Sequence, residues 1–296
     1  MAFSQVPEPS QGILAVKPSE QRKLESLKPE QREKVLMDLS RLILFKALAG
    51  EPIDRLKCFK EAGLEGGEGK MSTAVMAEVS ERLENVFGFE LTRYPLWMEK
   101  MKSVPSKYKD RYYVLSSNLE NVSEGHSKAI YAVHADAAME KGLLMLVLAL
   151  VFCKGDPRSD GSRWILDVDL YRLLNTLDEN IPADPPSVQG KKKGASRSRY
   201  NPMNTETPNV DELLEKFVRM DYLLKEKISE ERLLDTQNAD ENSMVFALGP
   251  RSAVEIGRKQ IVYFCAEILD EEPDPTMLLE IDRDEELDEQ MDGGDE

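Results

Sequence analysis

Few side chains in this 296-residue chain could do covalent chemistry, and they are scattered. The two histidines, His126 and His134, lie in a polar stretch with Glu124 and Asp136 close in sequence. No spacing there suits a metal site or an acid–base pair on one helix face. Neither histidine stands near a nucleophile turn, so a Ser/His/acid set and a Cys/His pair are both excluded. Cys58, Cys153 and Cys265 are odd in number, far apart and set among apolar residues. That is the pattern of small buried hydrophobes in a reducing compartment, without zinc spacing. Gly63-Leu-Glu-Gly-Gly-Glu-Gly-Lys70 is the one stretch that invites a phosphate-loop reading, and it fails in detail. Lys70 is one residue out of place, Met71 stands where Ser or Thr would hold magnesium, and Glu65 and Glu68 repel phosphate. A flexible turn is expected there. The chain is therefore read as no enzyme, with no cofactor and no metal.

Charge is the more informative chemistry. Glu267 to Glu296 hold fifteen acids against Arg283 alone, so most of the net charge of −16 sits in that tail and the body is near neutral. The default reading of residues 271–296 is a disordered acidic tail; the functional alternatives are a mimic of nucleic-acid charge or a dock for a basic partner. Two basic clusters stand out in the body. One holds Lys100, Lys102, Lys107, Lys109 and Arg111 against Glu99 and Asp110. The other holds Lys191, Lys192, Lys193, Arg197 and Arg199, with no acid between Ser187 and Thr205. Such clusters can bind duplex DNA by counterion release. For the second cluster a nuclear-import patch and a merely solvated loop stay equally open.

The elements that must position these groups follow from periodicity. Residues 1–28 are read as a disordered N-terminal tail, with prolines among Ser and Gln in its first 18 residues. Pro29-Glu30 opens a helix to Leu48, with Val35, Leu36, Leu39, Leu42, Ile43 and Phe45 at three- and four-residue spacing. Asp54 caps a second helix to about Leu64, and Ser72–Val86 makes a third, ended by Gly88. Phe87–Thr92 alternates like a strand, with Tyr112–Leu115 as its partner. Three helices and a hairpin with a basic loop is the order of a winged helix, whose wing often touches a phosphate backbone. Residues 29–118 are thus one domain and 119–135 a linker.

From Leu143 to Cys153 eleven consecutive residues are apolar, roughly 16 Å of helix and too short for a bilayer. With Asp136 as its cap and Lys154-Gly155-Asp156-Pro157 as its stop, this helix needs cover on every side, from a second domain or a partner chain. Ile165 to Leu177 is expected as a further helix, 179–208 as a polar basic insertion, and Asn209–Met220 as a third helix. Leu223–Ile228 pairs with Met244–Leu248, and a last helix runs from Ser252 to Leu269. Residues 136–270 therefore repeat the winged-helix order. The fold class is mainly α with small β-hairpins (α+β), as two tandem winged-helix domains. No basic region followed by a long apolar stretch opens the chain, so a secretory signal is not expected.

Four blocks in order resemble the MAGE homology domain family. They are Gly142–Gly155, Arg82-Leu-Glu-Asn-Val-Phe-Gly-Phe-Glu-Leu91, Phe217-Val-Arg-Met-Asp-Tyr-Leu223 and Phe246-Ala-Leu-Gly-Pro-Arg251. The resemblance covers about residues 30–270, and the chain looks most like the non-SMC-element branch serving the SMC five-six complex. It implies a non-catalytic scaffold in the nucleus, on chromosomes, acting in DNA repair and recombination. The implied partners are a RING-type ubiquitin ligase subunit, which such a scaffold stimulates, a kleisin subunit and duplex DNA. By the same resemblance Ile43 and Leu44 match the RING-facing pair, isoleucine replacing the first leucine. Leu144, Val147, Val151 and Phe217 are the kleisin-facing candidates. The DNA-facing candidates are Lys107, Lys109, Arg111, Lys191, Lys192, Lys193, Arg197, Arg199, Lys216 and Arg219. Two rival readings remain. A ligase adaptor without a chromosome role fits the same blocks. A winged-helix transcription factor is disfavoured, because Lys216 and Arg219 face Asp211, Glu212, Glu215 and Asp221 on the would-be recognition helix.

Overall fold

The computed structural model describes residues 16–64, 71–102, 104–116, 135–185, 209–228 and 243–292. The linker, both histidines and the basic run from Lys191 to Arg199 lie outside the described residues, as does most of the glycine-rich loop. The chain divides into two compact units. The first contains residues 1–135, 253–259 and 274–296, and the second 136–252 and 260–273.

In the first unit α2 (Pro29–Leu48) starts and stops where proline and Ala49-Gly50 predict, with Gly50 at φ 69°. Its inward face is Val35, Leu36, Leu39 and Ile43. After β1 (Ile53–Asp54), the Asp54 carboxylate accepts from the Lys57 N–H, 3.0 Å, and caps α3 (Arg55–Glu61). Helix α4 (Ser72–Phe87) has no cap of its own, since Met71 offers no acceptor. Glu20 supplies one, accepting from the Thr73 N–H at 3.1 Å. That carboxylate comes from α1 (Pro18–Glu25), which also buries Leu24 in the core. Residues 18–25, expected within the N-terminal tail, are therefore an ordered part of the unit. One apolar anchor in a charged segment is too weak a pattern to announce a helix.

Gly88, at φ 66°, turns α4 into β2 (Phe89–Thr92), which pairs antiparallel with β3 (Arg111–Ser116) as Leu91 with Val114. Sheet order is β1-β3-β2, all antiparallel. The segment between β2 and β3 is no loose loop. It folds as α5 (Leu96–Glu99) and a 3-10 turn at Ser106–Tyr108, burying Tyr94, Trp97, Met98 and Tyr108.

The second unit opens with α6 (Ala135–Lys154). Gly155 follows because a Cβ there would meet the Val151 carbonyl and the backbone of Trp164 at 3.1 Å. Strand β4 (Asp156–Pro157) pairs with β5 (Arg163–Leu166), so Ile165 and Leu166 belong to a strand and not to the helix expected there. Two apolar residues ahead of Asp167 are too few to show whether the period is that of a strand or of the helix that follows. Helix α7 begins only at Asp167 and ends at Leu177. The Asn209 side chain accepts from the Asp211 N–H, 3.2 Å, and starts α8 (Val210–Arg219). β6 (Leu223–Lys227) and β7 (Met244–Leu248) pair as expected, and the order is β4-β5-β7-β6. Setting β4 aside, β5-β7-β6 repeats the first-unit order. Each unit thus runs helix, strand, helix, helix, strand, strand, which is the winged-helix order.

Two further corrections concern the C-terminal part. The helix expected over 252–269 is broken at Gly257, φ 78°, into α9 (Pro250–Glu255) and α10 (Arg258–Leu269). The acidic segment, expected to be disordered, forms α11 (Pro275–Asp292) with Ile281 buried.

Candidate partner and nucleic-acid surfaces

The outer face of α2 carries an apolar stripe. Met37, Phe45 and Leu48 are 47%, 63% and 72% exposed, with Leu44 half-buried between them. Phe45 and Leu48 are three residues apart, and Met37 lies two turns before Leu44 and Phe45 with Arg41 between, all away from the Leu36/Leu39/Ile43 face. Ile43, the other RING-facing candidate, is fully buried in the core. Lys46, elsewhere on the helix, has its Nζ 2.9 Å from Glu61 and 3.3 Å from Glu51. The hydrogen bond to Glu61 raises its pKa, outweighing the opposing effect of burial. Sequence could have flagged Phe45 and Leu48, since an amphipathic helix with a second apolar stripe opposite its core face has something left to cover.

In the second unit Leu144, Val147, Val151 and Phe217 are all buried. These kleisin-facing candidates are core residues of this fold. Helix α6 is less needy than its composition suggests. Leu143, Leu146 and Leu150 are half-covered, and Met139 alone among its described large apolar side chains is exposed.

The basic candidates divide in three. Lys107 and Lys109 are exposed on the wing segment. Lys107 lies 4.9 Å above the Tyr108 ring, with the half-buried Arg111 guanidinium 4.7 Å from the same ring. Arg93 donates through Nη2 to the Lys109 carbonyl, 2.8 Å, and Lys109 Nζ stands 3.8 Å from Glu99. Tyr108 and Arg93 thereby fix where these cations stand. On α8, Lys216 is engaged with Glu140 at 2.6 Å, which offsets its charge, while Arg219 is exposed. Lys191, Lys192, Lys193, Arg197 and Arg199 lie outside the described residues.

Thiol chemistry is suppressed where it is described. Burial pushes the Cys58 thiol up to about 11. Cys265 is pushed up to about 12 by burial and by Cys153, whose Sγ is 3.5 Å away. Among the described residues no group of His, Cys, Asp and Glu is placed to hold a metal ion, and no helix is long and apolar enough to cross a membrane. A cleft of about 320 Å3 beside α7 mixes Lys154 and Arg172 with Asp156 and Asp169, without a nucleophile–base pair.

Comparison with known proteins brings these surfaces into one frame. The model of the MAGE homology domain matches residues 39–259. The human protein named "Non-structural maintenance of chromosomes element 3 homolog" is 24% identical over 286 residues, covering 91% of this chain and 74% of the relative. A solved chain from an "Nse1-Nse3-Nse4 complex" superposes with a TM-score of 0.53 at 18% identity, covering 88% of this chain and all of that one. At that identity the superposition speaks to the fold.

Proposed function

The chain belongs to the MAGE homology domain family, and on that premise we propose that it is a non-catalytic scaffold subunit of the SMC five-six complex. It bridges a RING-type ubiquitin ligase subunit and a kleisin subunit, binds duplex DNA without sequence specificity, and works in the nucleus on chromosomes in repair and recombination. The observation that carries this reading is the similarity, over nearly the whole chain, to a human relative named for that element.

The apolar stripe of α2 supports the RING contact. Its occupant is the ligase subunit, held by Phe45 and Leu48 with Leu44 at the margin, each buried side chain contributing roughly 1.5–3 kcal/mol before ordering costs. The kleisin segment binds the second unit as a helix whose apolar face covers what α6 and α10 leave out, Met139, Ile268 and Leu269 being exposed there. Lys107 and Lys109 of the wing are one candidate contact with duplex DNA and the 191–199 run is another, each through phosphates and without base reading.

Co-expression with a RING subunit and a kleisin, followed by size-exclusion chromatography, tests the assembly. Co-elution of all three chains is expected. Recovery of the RING subunit without the kleisin returns the chain to a ligase adaptor with no chromosome role, and recovery of neither overturns the scaffold reading. Neutralising Lys191, Lys192, Lys193, Arg197 and Arg199 flattens the salt dependence of duplex binding if that run touches DNA; an unchanged slope removes it from the interface.

A further inference from the structure

The acid-rich C-terminal helix is seated on the first unit. Asp282 and Glu285 of α11 lie 2.8 and 2.5 Å from Lys259 Nζ, and Asp284 is 2.6 Å from Arg258 Nη1. Ile281 is buried, and α11 packs along α5. Beneath the ion pairs the Arg258 guanidinium lies 3.9 Å from the centre of the Trp97 ring. Three carboxylates thus face two cations, yet the cations are incompletely satisfied. Among the described residues, Arg258 Nε and Nη2 are buried without a hydrogen-bond acceptor, and Nη1 is the bonded nitrogen. A buried donor without an acceptor is costly. A single carboxylate oxygen answers one of these donors, whereas a phosphate, with its several oxygens, suits the planar fork of arginine. Lys100 and Lys102, both exposed, follow directly on α5 and extend the positive charge.

We propose that Trp97, Arg258 and Lys259, with Lys100 and Lys102 alongside, form a phosphate-backbone site for duplex nucleic acid, and that α11 occupies it as an acidic stand-in. The ligand is backbone and not bases, because the Trp97 face is already covered by Arg258 and offers no platform for stacking. Being tethered, α11 is present at high effective concentration, so duplex binds only by displacing it. This deepens the DNA-binding reading above and rests on it.

The test uses the full chain and a fluorescent duplex oligonucleotide, titrated across a salt series. Asp282→Asn, Asp284→Asn and Glu285→Gln together release the helix. Glu271→Gln, Glu272→Gln and Glu280→Gln together remove the same charge from exposed positions that meet neither cation. The released variant is expected to bind more tightly than wild type. Its dependence of log affinity on log salt steepens by about 1.8, at roughly 0.9 per phosphate contact for two freed cations. The control set stays close to wild type, and adding Lys259→Gln to the released variant reverses part of the gain. Hydrogen exchange gives a second readout: α11 amides lose protection in wild type when duplex is added. Equal behaviour of the two charge sets, or unchanged α11 protection with duplex bound, overturns the proposal while leaving DNA binding intact. Failure of every variant to bind at low salt overturns the DNA-binding reading itself and this site with it.

Discussion

The two units share one element order and one strand adjacency, yet they treat their leading helices in opposite ways. Helix α6 has an unbroken apolar run and leaves Met139 as its one described large apolar side chain in the open. Arg163 of β5 lies over its Phe152, Cys265 of α10 meets its Cys153, and Lys216 of α8 pairs with its Glu140. Helix α2 alternates charge with aliphatic residues and leaves Met37, Phe45 and Leu48 uncovered. Exposure is set by what the fold supplies on each side of a helix and not by how apolar the helix is. Uncovered apolar surface is therefore clearest on the more polar of the two helices.

The largest expected effect that tests this contrast is on stability. Phe217→Ala, deep in the second core, should cost about 3–5 kcal/mol in denaturant unfolding, whereas Phe45→Ala should stay within about 0.5 kcal/mol. Similar costs at the two sites would erase the contrast. Next come two glycines needed for different reasons. A Cβ on Gly249 would meet the Asp221 carbonyl and the Tyr222 backbone at 2.7 Å, so Gly249→Ala should cost about 3 kcal/mol. Gly88 is needed only for its left-handed backbone, so Gly88→Ala should cost about 1 kcal/mol. Gly88→Asn should recover part of the loss and Gly249→Asn none, as thermal midpoints would reveal. Phe45→Ala should weaken RING-subunit capture by about 2 kcal/mol, roughly thirtyfold, with kleisin capture unchanged. Calorimetric titration separates the two; parallel losses would place both partners on α2. The smallest change is chemical. With its thiol pushed up to about 11, Cys58 holds little thiolate at pH 8, so iodoacetamide should label it far more slowly in the folded chain than in urea.

Much of the fold was legible in the sequence wherever a periodic face and a terminal signal coincide. Pro29, the Val35–Ile43 face and Gly50 bound α2, and the β6/β7 hairpin follows from alternation alone. What escaped is held by few, long-range contacts. Helix α1 depends on Leu24 and on a carboxylate lent to α4. Helix α11 depends on Ile281 and on ion pairs with Arg258 and Lys259, none of which a composition count can foresee. Of the expected RING-facing pair, Ile43 is buried and Leu44 half-buried, while Phe45 and Leu48 are the exposed ones. Periodicity says which residues share a face, while the inward direction is fixed by neighbours distant in sequence.

The four-stranded sheet ends on one side at β4, where Pro157 presents no N–H, and on the other at β6, where Lys225, Glu226 and Lys227 crowd the margin with charge. Such margins refuse an incoming strand. A polypeptide threading past this unit therefore cannot zip onto it by backbone pairing, and has to be gripped through its side chains.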